Sequence, residues 1–250
     1  MNIRINCDIG ERGPDHHVDL ALMETIQIAN IACGGHAGDA ETVGIFRTLA
    51  EKNRVAVSAH LSYPDTEHFG RISMDMAWDD LEASLDRQMA LLPGVTLVKF
   101  HGGLYHDASN RPDLAMKLAR WLKKKNVDQV IAPHGSEIMK TCLNLDMEVL
   151  KEAFAERRYK LDPATSRPVL MDRRHPMAVI TDERSALAQC LTVIRYGFVD
   201  ALCDDGKGGW IPRKAMLPCD TLCVHSDSPI ALTLAQNLAK TLRNERPVHD

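Results

Sequence analysis

Four short segments of the chain carry paired polar residues two positions apart: Asn6 and Asp8, Ser58 and His60, Lys99 and His101, and His225 and Asp227. A fifth holds Asn30, followed in CGGHAGD by His36 and Asp39. Carboxylates, a lysine and imidazoles gathered in one place can take a proton from water, stabilise a developing oxyanion or hold a divalent ion. Strand side chains alternate with period two, so both members of each pair face the same way. Buried singly, each such group would cost several kcal/mol; they are tolerable mainly as one hydrogen-bonded, partly hydrated site.

Those pairs fall near the C-terminal ends of short apolar runs, which read as strands at 2–7, 29–33, 55–59, 95–101, 129–132, 147–154 and 221–225. Most are rich in Val, Ile and Leu, as strands covered on both faces should be. Amphipathic helices lie between them. Asp79 and Asp80 suit the start of a helix carrying Leu81, Leu85, Met89 and Leu92. Pro112 suits the first turn of one with Leu114, Leu118 and Leu122 inward. Asp182 and Gly197 can cap the ends of another, and Ser228-Pro229 opens the last. Strand–helix alternation throughout predicts a parallel sheet with helices outside. Seven or eight such units close a (β/α) barrel; the alternative is an open doubly wound sheet. The first turn, NCDIGERG, has no G-x-G-x-x-G and no Walker A lysine, which favours the barrel. In a barrel the paired residues would share its mouth, where catalytic groups lie. Residues 155–176 are irregular and read as a long loop over one end, within a single domain spanning 1–250.

Composition narrows the class. The 250 residues are 45% hydrophobic and 26% charged, which excludes a disordered chain. A net charge of −4 argues against nucleic-acid or anionic-membrane partners, which need a strong positive field. No apolar run is long enough for a membrane span and the first residues lack a secretory core, so a cytoplasmic location is expected. The 7 cysteines are scattered without a C-x-x-C pair, which speaks against disulfides and structural zinc. The loop glycines at 34, 35, 38, 102 and 103 either make turns or let backbone N–H groups approach an anion. His16, His17, His68 and His249 read as loop or tail residues, and Lys123–Lys125 as a solvated helix end.

Taken together, NCDIGE (6–11), ANIACGGHAGD (29–39), AHLSYPD (59–65), FGR (69–71), VKFHGGLYH (98–106), EAFAERRY (152–159) and LCVHSDSP (222–229) resemble the LamB/YcsF family, the A components of 5-oxoprolinase. The resemblance runs from end to end in the family's order. It implies a barrel of the glycoside hydrolase/deacetylase type. It also implies ATP-dependent opening of 5-oxoproline to glutamate, with Mg2+ accompanying ATP, alongside separate B and C subunits. The chain departs from the family pattern at Gly35 (usually Phe), Leu61 and Phe100 (usually Pro), Gly103 (Ala), His106 (Asn) and Ser226 (Gly), and its loop after Glu11 is short. The polar positions are kept.

Under that resemblance Asp8 is the leading general base, with His101 or Asp227 assisting. Lys99 and Arg157 stabilise anionic oxygens, joined by Arg173. Asn6, Glu11, Asn30, His36, Asp39, His60 and His225 position a small lactam or acid substrate. Two other readings stand beside it. One is a metal-dependent amidohydrolase, with Asp8 and two of His36, His60, His101 and His225 as ligands. The other is a non-catalytic subunit that binds a small acid.

Overall fold

The structure, a computed structural model, describes residues 3–244. Strands and helices first alternate: β1 (Arg4–Ile9), α1 (His17–Leu22), β2 (Ile28–Ala32), α2 (Ala40–Asn53), β3 (Ala56–Leu61) and α3 (Trp78–Ala90). There follow β4 (Leu97–Phe100), α4 (Gly102–Asn110), α5 (Pro112–Lys124), β5 (Gln129–Pro133), α6 (Glu137–Asn144) and β6 (Glu148–Phe154). The remainder is β7 (Tyr159–Leu161), β8 (Pro168–Leu170), α7 (Glu183–Tyr196), β9 (Phe198–Asp204), β10 (Trp210–Met216), β11 (Thr221–His225) and α8 (Ala231–Asn244).

Seven strands close a parallel barrel in the order β1-β11-β6-β5-β4-β3-β2. They are the seven expected from sequence, with ends moved by at most two residues. Asn2, the expected first residue of the first strand, lies outside the described residues, as does His249. The strands are apolar on both faces because both are covered: every residue of β2 and β4 is buried.

Local chemistry sets the helix ends. Asp39 accepts from Thr42 N at 2.8 Å and starts α2. Asp182 does the same for α7 through Ser185 N at 2.8 Å, and Gly197 (φ +68°) ends that helix. Pro112 opens α5, whose Leu114, Leu118 and Leu122 are buried. The helix expected from Ser228-Pro229 begins at Ala231.

The structure corrects the sequence reading over its second half. Residues 155–176 are not one loop, since they contain β7 and β8. Those strands join β9 and β10 in a second sheet of order β10-β9-β7-β8. Most of β10 is exposed and β7 and β8 have three residues each, so no apolar periodicity marks them. The turn between β9 and β10 did carry a signal. In Asp205-Gly206-Lys207-Gly208-Gly209, the Asp205 carboxylate accepts from Lys207 N (2.7 Å) and Gly209 N (2.8 Å).

The chain forms two compact units: residues 6–151, and residues 152–244 with 3–5. In the first, Ile28, Leu97, Ile131 and Leu150 form a buried apolar cluster. In the second, Met171, Ala178 and Leu202 pack together with Trp210 against them.

Candidate functional site

In the first unit, strand register brings the polar residues level. Asp8 pairs with Asn30 across β1 and β2, Asn30 with Ser58 across β2 and β3, and His60 with Lys99 across β3 and β4. Asp8 Oδ1 accepts from Lys99 Nζ and from Asn30 Nδ2, each at 2.8 Å. Asn30 Nδ2 also donates to Asn6 Oδ1 at 2.8 Å, and Lys99 Nζ lies 3.4 Å from that oxygen. All four residues are buried. A lysine and a carboxylate this deep are tolerable because each has both a charge partner and amide hydrogen bonds.

Beside this group, three imidazoles surround a second carboxylate. Glu11 Oε1 lies 2.9 Å from His36 Nε2, 3.3 Å from His101 Nδ1 and 3.7 Å from His60 Nε2. His60 Nε2 is 3.0 Å from His101 Nδ1 and 3.3 Å from Asp8 Oδ2. The rings of His36 and His101 stack in parallel with centroids 3.7 Å apart. The outer nitrogens fix the tautomers. His60 Nδ1 faces the Lys99 carbonyl at 3.2 Å, and His101 Nε2 faces the Phe69 carbonyl at 3.0 Å. A carbonyl only accepts, so each outer nitrogen carries the hydrogen, and in the neutral ring the inner nitrogen is a bare acceptor. Burial holds His36 and His101 well below the ordinary imidazole pKa. The neighbouring imidazoles push the same way, and Asp8 opposes them in both cases.

Two loops position this cluster. Asp19, fully buried at the start of α1, accepts from Gly10 N (3.0 Å) and Arg12 Nη2 (3.1 Å), and so ties down the turn carrying Glu11. Phe69 adopts a left-handed conformation (φ +57°) that presents its carbonyl to His101. Gly70 follows at φ +62°; a Cβ there would stand 2.9 Å from His36 Cβ and 3.2 Å from His101 Cδ2. Only glycine lets this backbone lie against the imidazoles. The loop glycines serve such close packing: Gly103 N, for one, donates to Gly70 O at 2.8 Å. Gly35 packs likewise, since a Cβ there would meet Ser62 Oγ at 2.4 Å and Gln88 Oε1 at 2.5 Å.

The second unit carries its own polar group. Glu156, buried just beyond β6, accepts from His225 N at 3.0 Å and pairs closely with His225 Nδ1. Its other oxygen is buried without a hydrogen-bond partner. Gln189 on α7 donates to the carbonyls of Phe154, Ala155 and Arg157 at 3.0–3.2 Å and holds this strand end in place. Arg157 is buried and donates to Met171 O at 2.9 Å. Burial lowers its pKa, and the Arg173 charge adds to that. Arg173 pairs with Asp227 at a half-exposed position.

Of the residues singled out from sequence, Asn6, Asp8, Glu11, Asn30, His36, His60, Lys99 and His101 come together in the first unit. Arg157, Arg173, His225 and Asp227 belong to the second. Asp39 is a correction: it is exposed, and its carboxylate serves the N-terminus of α2, whose Thr42 N–H lowers its pKa. His16, in the loop before α1, caps that helix by accepting from Asp19 N, whereas His17, also expected in a loop, is its first residue. Sequence reasoning missed Glu156, Asp19 and Gln189. Glu156 lies in EAFAERRY (152–159), as an acidic residue two positions past the end of a predicted strand. Nothing local marked Asp19 or Gln189.

The model of the LamB/YcsF family matches residues 3–248, and the chain belongs to that family. Among solved structures it is similar to the lactam utilization protein of Thermus thermophilus. That likeness has a TM-score of 0.80 and 26% identity, over 98% of this chain and 97% of that one.

Proposed function

We propose that this LamB/YcsF chain acts in lactam utilization as the A component of an ATP-dependent 5-oxoprolinase, opening 5-oxo-L-proline to L-glutamate with separate B and C subunits. Family membership and the likeness to a lactam utilization protein support the substrate class. The observation that carries the reading is Asp8, a buried carboxylate with one oxygen held by Lys99 and Asn30 and the other facing His60.

A five-membered lactam is a poor electrophile because its amide is resonance-stabilised. Phosphorylation of the amide oxygen by ATP, with Mg2+ screening the phosphates, makes the amide carbon electrophilic. Water adds there, the C–N bond breaks as a proton passes to the ring nitrogen, and hydrolysis of the resulting acyl phosphate releases phosphate and glutamate. Asp8 then takes a proton from the attacking water while Lys99 balances the charge on the carboxylate. Asn6 and Asn30 keep Asp8 in one orientation. In the second unit, the Arg157 and Arg173 guanidiniums suit anionic oxygens of substrate or phosphate, with His225 and Asp227 positioned by Glu156 and Arg173. The chain has no Gly-rich phosphate loop, so nucleotide titration of the isolated chain assigns ATP to it or to its partners. Among the described residues no helix is long and apolar enough to cross a membrane, and none of the seven cysteines is in a disulfide, which suits the cytoplasmic location we assign.

The test is reconstitution with the B and C proteins, following 5-oxoproline-dependent ADP release and glutamate. Asp8→Asn, folded as the parent, is expected to lower turnover by at least about 100-fold, the lower range for a positioned base. Near-parent turnover would remove Asp8 as the base. Glutamate formed without ATP would instead favour the competing reading, a metal-dependent amidohydrolase on the same barrel. Co-assembly with no activity would favour a purely binding role.

A further inference from the structure

We propose that Glu11, His36, His60 and His101 bind one divalent transition-metal ion of the zinc class, through Glu11 Oε1, His36 Nε2, His60 Nε2 and His101 Nδ1. The four atoms all lie within 4.8 Å of one another. The inference concerns this cluster alone and does not depend on which lactam is the substrate.

The hydrogen bonds of the cluster do not balance without a cation. The Lys99 and Phe69 carbonyls take the hydrogens of His60 and His101, so two bare nitrogens face each other at 3.0 Å. Glu11 Oε1 and Asp8 Oδ2 are further acceptors against the same two nitrogens, at 3.3 and 3.7 Å for Glu11 and 3.3 Å for Asp8. Acceptors thus converge on acceptors at the centre of the cluster. A metal ion removes the conflict, because each of these lone pairs is then a ligand or faces a ligand. The outer carbonyls become the supports that hold metal-binding imidazoles in the right tautomer.

Spacing agrees with a tetrahedron. Metal–ligand bonds of about 2.0–2.1 Å place neighbouring tetrahedral donors about 3.3 Å apart. Four of the six donor separations, 2.9, 3.0, 3.3 and 3.7 Å, bracket that edge, and the stacked His36 and His101 rings must tilt apart for both in-plane lone pairs to meet one ion. Three imidazoles and one carboxylate, with no thiolate, suit zinc or cobalt rather than calcium or magnesium. His36 completes the set. Its Nδ1 is buried without a partner, so no neighbour fixes its hydrogen. It can donate from Nε2 to Glu11 in the empty site and shift the hydrogen to Nδ1 when Nε2 binds metal.

The sequence reading assigned Asp8 the carboxylate role in a metal site. In the structure Asp8 Oδ1 is held by Lys99 and Asn30, and Glu11 stands among the three imidazoles instead.

The full chain, stripped with a chelator and dialysed, is titrated with Co2+ and separately with Zn2+. One equivalent should bind, and the cobalt form should show the intense visible d–d bands of four-coordinate geometry. X-ray absorption of the zinc form needs no variant; it should show N/O donors at about 2.0–2.1 Å with the outer-shell scattering of three imidazoles. Glu11→Gln, nearly isosteric, should weaken binding by more than about 100-fold, since even outer supports of such sites are worth 10–100-fold. Failure to bind a stoichiometric ion overturns the proposal, as does a six-coordinate spectrum, fewer than three imidazoles, or parent-like affinity in Glu11→Gln. An empty site in which His60 stays an imidazolium, seen by nitrogen NMR, overturns it equally. None of these readouts uses turnover, so a failed metal site and a failed lactam reading are told apart.

Discussion

Lys99 and Arg173 each pair with an aspartate, but in different surroundings. Lys99 and Asp8 are 3% and 8% exposed; Arg173 and Asp227 are 33% and 38% exposed. The first pair sits on barrel strands among amides and imidazoles that fix both partners. The second lies between residues outside the strands, and water competes for both of its members. The buried pair is thus part of the scaffold, because neither charge can be left alone. The exposed pair can open and let a guanidinium turn to an anion. Acceptors and imidazoles dominate the first unit's cluster, whereas the second unit's group offers cationic donors.

The largest effect should come from breaking the buried pair. Lys99→Met leaves Asp8 buried without its charge partner and is expected to cost about 3–5 kcal/mol. Arg173→Met should cost no more than about 1 kcal/mol. Urea unfolding of both variants checks this; equal losses would abolish the contrast. Asp19→Ala removes the acceptor of Gly10 N and Arg12 and should cost about 2–3 kcal/mol, with weaker metal binding because Glu11 loses its support. Thermal melts with and without Zn2+ separate the two losses. Gly70→Ala should cost roughly 1–2 kcal/mol for the left-handed backbone alone. The same change at Gly208, also at positive φ but in open space, shares only that strain, so a larger loss at Gly70 measures the crowding against His36.

The imidazoles give the pH dependence. Folding lowers the pKa values of His36 and His101, so below about pH 6.5 the unfolded chain binds more protons than the folded one. In metal-free protein, stability should be constant above that pH and fall below it, by up to about 1.4 kcal/mol per pH unit for each imidazole. Urea midpoints between pH 5 and 8 test this. His36→Gln should flatten the slope, and Arg173→Met should leave it alone. The smallest effect is in thiol reactivity. Burial pushes Cys33 in the first unit up to about 12, whereas Cys203 in the second is half-buried. Alkylation of the folded chain at pH 8 should mark Cys203 and spare Cys33; peptide mapping reads this directly.

The barrel was legible because its strands are apolar on both faces and its helices start on residues such as Asp182 and Pro112, whose effect is local. The polar pairs were legible for the same reason: period two puts Asn6 with Asp8 on one side of a strand whatever the rest of the chain does. The second sheet was not. β7 and β8 have three residues each and β10 is largely exposed, so their pairing is decided by each other rather than by burial. The partners within the site were equally out of reach. Glu11 sits on a loop, and its place among three imidazoles depends on Asp19 holding that loop and on Phe69 turning left-handed. Sequence spacing therefore favoured Asp8 as a metal ligand, whereas the carboxylate that the fold sets among the three imidazoles is Glu11.

At Gly35 the space that any side chain would need is filled by Gln88 and Ser62. Gln88 Oε1 accepts from Ser62 N at 3.0 Å and its Nε2 donates to Ser62 O at 2.9 Å. This clamp and a large side chain at position 35 cannot coexist. Gly35→Phe by itself should be refused, while the same change combined with Gln88→Ala should be accepted, because the glycine and the glutamine fill one space between them.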